Sequence, residues 1–166
     1  MINEREVFIL IYLDNAATTK AFEEVLDTYL KVNQSMYYNP NSPHKAGLQA
    51  NQLLQQAKAQ INAMINSKTN YDVVFTSGAT ESNNLALKGI AYRKFDTAKE
   101  IITSVLEHPS VLEVVRYLEA HEGFKVKYVD VKKDGSINLE HFKELMSDKV
   151  GLVTCMYVNT VTGQIQ

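Results

Sequence analysis

The stretch FTSGATESNN, residues 75–84, decides how this chain is read. It opens where a strand would finish: Val73-Val74-Phe75 is a short β-branched and aromatic run, the pattern of a buried strand end. It closes as a helix would begin, with Thr80 and Glu81 leading into Leu85, Ala86, Leu87 and Ile90. Thr76, Ser77 and Gly78 make a small polar elbow between the two. The first amides of a helix lack internal partners and carry the positive end of its dipole. Such an elbow is therefore a ready seat for an anion such as phosphate. On the residues alone, a helix start capped by Ser77 or Thr80 is the simpler account. The elbow is not a Walker loop, because no Gly-Lys-Ser/Thr follows Gly78, and it lacks the glycines of a dinucleotide fingerprint.

Outward from the elbow, apolar strand patterns alternate with amphipathic helix patterns. Val7–Leu13 reads as a buried strand rather than a signal peptide, because Glu4, Arg5 and Glu6 precede it and Asp14 ends it. Phe22, Val25, Leu26, Tyr29 and Leu30 recur at helical spacing, and NQSMYYNPNSPHKAG (33–47) reads as a loop. Ala50, Leu53, Leu54, Ala57, Ile61, Met64 and Ile65 then trace one face of a long helix. Beyond the elbow come a strand at Ile101–Ser104 and a helix that starts at Pro109 and carries Val111, Leu112, Val115 and Leu118. A strand over Val126–Val131, a turn at KKDGS (132–136), a helix through Leu139, Phe142, Leu145 and Met146, and a strand over Leu152–Val158 complete the pattern. This alternation predicts an α/β fold, a three-layer α/β/α arrangement around a largely parallel sheet.

A chain of 166 residues is long enough for one domain with a real core, or for a part of something larger. A formal net charge of −2 argues against a nucleic-acid groove or a polybasic membrane patch. Cys155 is the single cysteine, which excludes an intrachain disulfide and a cysteine metal cluster, and suits a reducing cytoplasm. His44, His108, His121 and His141 show no metal-ligand spacing.

Ligands of a parallel α/β sheet sit beyond the carboxyl ends of its strands. Three segments fall on that edge: Gly78 to Thr80, His108 in TSVLEHPS (103–110), and Asn159 with Thr160. Read singly they are caps and turns; together they outline a crevice. At such an edge His108 could stack on an aromatic ligand or carry a proton. Asp14, Asn15, Thr18 and Thr19 read as capping residues, His44 as a loop residue, Lys88 as a solvated helix residue and Cys155 as a small buried residue within a strand.

Five segments in order, IYLDNAATT (11–19), NPNSPHKAG (39–47), VVFTSGATESNNLALKG (73–89), ITSVLEHPSV (102–111) and MYVNTVTGQIQ (156–166), resemble the NifS/IscS-type cysteine desulfurases. These are class V members of the fold-type I pyridoxal-phosphate enzymes, and SGATESNN separates the resemblance from the R-G-T-T-E-A version of the SufS group. The resemblance implies that residues 16–166 form the N-terminal part of a pyridoxal-phosphate-binding large domain, with 1–15 leading into it. It implies that Ala79 and Thr80 hold the cofactor phosphate, and that His108 stacks on the pyridine ring and assists proton transfer as a catalytic residue. Thr160 stands where the family has the second Asn of V-N-N-E-x-G, a cofactor contact, and offers a shorter hydroxyl in its place. The implied reaction converts L-cysteine to L-alanine and leaves the sulfur as a persulfide on an enzyme cysteine, for iron–sulfur cluster assembly or tRNA thiolation. The implied partners are L-cysteine, a sulfur-acceptor or scaffold protein and a second subunit of a homodimer, in the cytoplasm, with no nucleic acid and no membrane. The alternatives are another class V enzyme (a selenocysteine lyase or an aminotransferase) and a non-catalytic binding module of the same fold.

In the family, the aspartate beneath the pyridine nitrogen, the Schiff-base lysine and the persulfide cysteine all lie beyond the position of Gln166. The 166 residues by themselves are therefore expected to release no sulfide from L-cysteine with added pyridoxal phosphate. Sulfide production by the purified chain above that of the free cofactor would refute this expectation.

Overall fold

The computed structural model describes residues 11–65, 71–94 and 96–166. The expected strand at Val7–Leu13 lies mostly outside the described residues, and Ile11 to Leu13 carry no strand pairing. The chain divides at Val74/Phe75 into two compact units.

The first unit holds two helices, α1 (Glu23–Ser35) and α2 (Lys45–Met64). His44 caps α2, its Nδ1 accepting from the Gly47 N–H at 3.1 Å. Gly47 is required there, because a Cβ would run into the carbonyls of Asn39 and Ser42. The Asn62 side chain donates to Tyr71 O at 2.9 Å and accepts from Tyr71 N at 3.2 Å, and Lys58 pairs with Asp72 at 3.1 Å. These bonds lay residues 71 and 72 along α2. Val73 to Phe75, predicted as a strand end, run without ladder partners among the described residues. Strand propensity is not enough; a strand exists only when a neighbour takes its hydrogen bonds.

The second unit contains α3 (Ala79–Lys94), β1 (Glu100–Ser104), α4 (Pro109–Glu122), β2 (Lys125–Val129), α5 (Leu139–Leu145) and β3 (Val150–Val153). Its three strands are parallel, in the order β2-β1-β3. Register places Ile101 opposite Val126 on one side and Leu152 on the other. This apolar row is covered by Leu87 and Ala91 of α3 and by Val111, Val114, Val115 and Leu118 of α4. The α4 residues follow the i, i+3, i+4, i+7 spacing of a single helix stripe. Gly123, at φ 70°, ends α4 in the left-handed conformation, and the Phe124 N–H returns to Leu118 O at 3.3 Å.

Side chains alternate across a strand, so Glu100 and Ile102 face away from this row. There Lys127 pairs with Glu100 at 2.5 Å and donates to Leu145 O at 3.1 Å, while Ser147 Oγ donates to Glu100 at 3.1 Å. The lysine and serine bonds hold the Glu100 carboxyl below the usual glutamate range, with the lysine bond the larger cause. The end of α5 is thereby pinned to the second face of the sheet, which gives the expected layering. Two strands are shorter than their apolar runs: β2 stops at Val129 and β3 at Val153, where Leu152–Val158 was expected.

Leu118 is fully buried between α4 and the sheet. Leu118→Ala is expected to lower stability by about 2–5 kcal/mol, read from the urea midpoint at constant slope.

Candidate active site

The α3 start builds the first half of the site. Glu81 turns back on the elbow, where its Oε2 accepts from Ser77 N and Ser77 Oγ, both at 2.7 Å. The Ser77 backbone bond is the main cause that holds the Glu81 carboxyl below the ordinary glutamate range. Thr76 Oγ1 lies 2.6 Å from Ser82 Oγ and 3.1 Å from Gly78 O, and Ser82 N donates to Gly78 O at 3.1 Å. Among the described residues, none accepts from the N–H groups of Ala79 and Thr80. The helix start thus caps itself at Ser77 through Glu81, yet leaves two amides facing outward at the positive end of the dipole.

The second half comes from the β1 exit. His108 is the N-cap of α4, with Pro109 at the first helical position. Its Nδ1 accepts from Ser110 N at 3.1 Å and lies 2.8 Å from Ser110 Oγ. The capping and ligand readings of His108 are therefore compatible: one ring nitrogen closes the helix and the exposed ring keeps its other edge free. Thr80, Asn84, Lys88, His108, Ser110, Glu113 and Tyr117 line one cleft of about 430 Å³. Lys88, expected to be solvated, holds its Nζ 5.0 Å from the Tyr117 ring centre along this cleft. Asn83 Nδ2 donates to Ser110 Oγ at 2.8 Å and so ties the start of α3 to the start of α4.

Thr80 and His108, proposed from sequence, are thus brought together, with the Ala79 amide at the head of the same helix. Thr160 is exposed in the turn after β3 and does not line this cleft. Its neighbour Asn159 is only 6% exposed. Asn159 Oδ1 accepts from Val161 N at 3.0 Å and Thr162 N at 2.9 Å, and its Nδ2 donates to Leu106 O at 3.3 Å. It locks the β3 exit to the β1 exit. His44, by contrast, caps α2, and its role there is fully accounted for.

Glu107, which sequence reasoning passed over, is 7% exposed beside His108. Thr154 Oγ1 donates to its Oε1 at 3.1 Å, and the N–H groups of His108 and Met156 also donate to its carboxylate. Burial nevertheless dominates and pushes its carboxyl above the ordinary range. Thr154 N still donates to Ile102 O at 3.0 Å, and beyond it the chain turns towards Glu107 instead of continuing the ladder. Cys155, expected inside that strand and buried, lies beyond its end and is exposed. It shares a crevice with Ser104, Leu106, Glu107 and Asn159. Partial burial and the Glu107 charge push its thiol above the ordinary value, the opposite of what a nucleophilic cysteine needs.

With this geometry in view, the chain can be set beside known proteins. Residues 11–166 match the family model described as aminotransferase class-V. The chain belongs to that family. It is 41% identical over 157 residues to a NifS/IcsS protein homolog of Lactobacillus delbrueckii subsp. bulgaricus, covering 95% of this chain and 40% of that protein. It is 40% identical over 164 residues to the cysteine desulfurase IscS of Ehrlichia chaffeensis, covering 98% of this chain and 39% of that protein. Among solved structures, a NifS-like protein superimposes with a TM-score of 0.87 at 37% identity, over 92% of this chain and 42% of the other. A structure of SspA in complex with cysteine gives 0.85 at 33% identity, over 93% and 44%. The chain thus spans about 40% of the length of the curated relatives it matches. The parallel α/β architecture read from the sequence is the fold of these class V structures. Among the described residues no helix is long and apolar enough to cross a membrane.

The Cys155 environment is directly measurable. The pH profile of alkylation by iodoacetamide is expected to have its midpoint above that of an ordinary thiol. The Glu107 charge is the smaller of the two causes, so Glu107→Gln should move the midpoint down, although the burial contribution keeps it above the free-thiol value. A midpoint below the ordinary thiol range in the parent chain would contradict the assigned environment.

Proposed function

We propose that this chain supplies the cofactor-phosphate and ring-side portion of a pyridoxal-phosphate-dependent cysteine desulfurase. One observation carries the proposal: Thr80, in a helix start whose first two amides have no acceptor among the described residues, lines a single cleft with the exposed His108. The donor set suits the cofactor. Amide N–H groups at a dipole's positive end, with a hydroxyl beside them, match a phosphate dianion. An exposed imidazole matches the flat face of a pyridine ring. Glu81 does not oppose the anion strongly, because its carboxylate is spent on Ser77.

In this reading the N–H groups of Ala79 and Thr80, with the Thr80 hydroxyl, bind and orient the phosphate. Thr160, which the resemblance offered as a third contact, lies outside this cleft and is given no part in it. Bound pyridoxal phosphate supplies the electron sink that the chemistry of an amino acid requires. His108 has its Nδ1 engaged by Ser110, so Nε2 is the atom through which it holds or passes a proton at the cleft. L-cysteine is the substrate, in keeping with relatives named cysteine desulfurase. The thiolate that takes its sulfur is not Cys155, whose surroundings oppose ionisation. A sulfur-acceptor protein, a homodimeric assembly, iron–sulfur cluster supply and a cytoplasmic setting belong to the same proposal.

Titration of the chain with pyridoxal phosphate, followed by cofactor absorbance and in competition with inorganic phosphate, tests this reading. Saturable binding displaced by phosphate is expected. Loss of one hydrogen bond to a charged group is worth about 1.5–3 kcal/mol, so Thr80→Val should weaken binding roughly ten- to a hundredfold. Absence of saturable binding, or binding indifferent to Thr80→Val, would overturn it.

A further inference from the structure

We propose that Asn83 is a positioning residue for His108: acting through Ser110, it biases which ring nitrogen of that histidine carries the proton. Asn83 lies one helical turn beyond Thr80 in α3, and its Nδ2 donates to Ser110 Oγ at 2.8 Å. An amide nitrogen can only donate, so Ser110 Oγ is the acceptor of that bond. That leaves the serine hydroxyl proton available to its other neighbour, His108 Nδ1, at 2.8 Å. The Ser110 backbone N–H, also a donor only, meets the same Nδ1 at 3.1 Å. Facing two donors, Nδ1 is held without a proton, and the neutral imidazole carries its proton on Nε2.

Asn83 biases this arrangement. A serine hydroxyl left to itself can either donate to Nδ1 or accept from a protonated Nδ1. Asn83 takes one of the two lone pairs and polarises the hydroxyl, which favours the first. The bond also joins the two halves of the cleft, since Asn83 follows the phosphate-side turn of α3 while Ser110 sits in the first turn of α4. The side chains that orient the histidine and the amides that face the anion are thus set by one short relay. The importance of this for catalysis rests on the reading of His108 as a cofactor-side residue; the relay itself does not.

The test is the ring-nitrogen NMR of His108 in the full chain labelled with 15N-histidine and free of cofactor. Its signals are assigned among the four histidines by their loss in His108→Gln. The parent chain should show an unprotonated Nδ1 and a protonated Nε2. Asn83→Ala should lower the Nε2-H to Nδ1-H ratio, by at most about the fivefold that one ordinary hydrogen bond sets. Asn83→Asp keeps the shape but replaces the donor by an acceptor. Ser110 should then donate to the aspartate and turn a lone pair to Nδ1, which shifts the proton towards Nδ1. In a Ser110→Ala background the same Asn83→Asp change should have little effect, because the relay is cut. Unchanged ring signals in both Asn83 variants would overturn the proposal, as would an equal response with and without the Ser110 hydroxyl. Because no cofactor is present, failure here leaves pyridoxal-phosphate binding to be judged on its own titration, and the reverse.

Discussion

A parallel strand cannot return to its neighbour by a tight turn; it needs a crossover, and the crossover is a helix. The second unit depends on that constraint. It places strand exits and helix starts on one edge of the sheet, so the exit of β1 becomes the start of α4 within the few residues after Ser104. The starts of α3 and α4 are the positive ends of two dipoles, and the Asn83–Ser110 bond holds them side by side. What keeps them there is the core row of Ile101, Val126 and Leu152 beneath the α4 stripe. The capacity to seat an anion is therefore a consequence of the topology, and only its detail is local.

The same edge carries a buried carboxylate, which at first sight works against anion binding. The oxygens of Glu107 are taken up by Thr154 and the N–H of Met156 in the loop after β3 and by the N–H of His108. Together with Asn159, which reaches back to Leu106 O, it closes the β3 exit onto the β1 exit. His108 is consequently fixed from both sides, by Glu107 at its backbone N–H and by Ser110 at its ring. The acidic group and the anion seat coexist because they serve different loops.

Most of the architecture was legible in the sequence because it follows from periodicity. The α4 stripe, the strand at Ile101–Ser104 and the proline at the first helical position all stand where spacing and caps put them. What failed had a common cause. Val73 to Phe75 and the far half of Leu152–Val158 are apolar and β-branched enough for strands, but pairing needs partners, and a run of sequence does not show who supplies them. Cys155 was misplaced for the same reason, since its burial was inferred from a strand that ends before it. Thr80 and His108 were readable as members of one edge. Asn83 and Ser110 were not, because 27 residues separate them and only the packing of α3 on α4 makes them neighbours. Glu107 offered a signal that could have been taken: an acidic residue between an apolar strand exit and a helix start is out of place unless something binds it.

His108 also shows how a structural and a chemical demand can be met by one side chain. Aspartate, asparagine and serine are the strongest N-caps, and histidine is not among the residues usually favoured there. A sequence shaped by helix stability alone would place one of those three at position 108. Histidine satisfies the orphan N–H of Ser110 through Nδ1 but adds a flat ring and a second nitrogen, neither of which the cap uses. The cap fixes the ring's orientation, and the proposed relay through Ser110 and Asn83 biases its proton towards Nε2. A weaker cap that leaves an oriented imidazole on the cleft is something helix stability by itself does not call for.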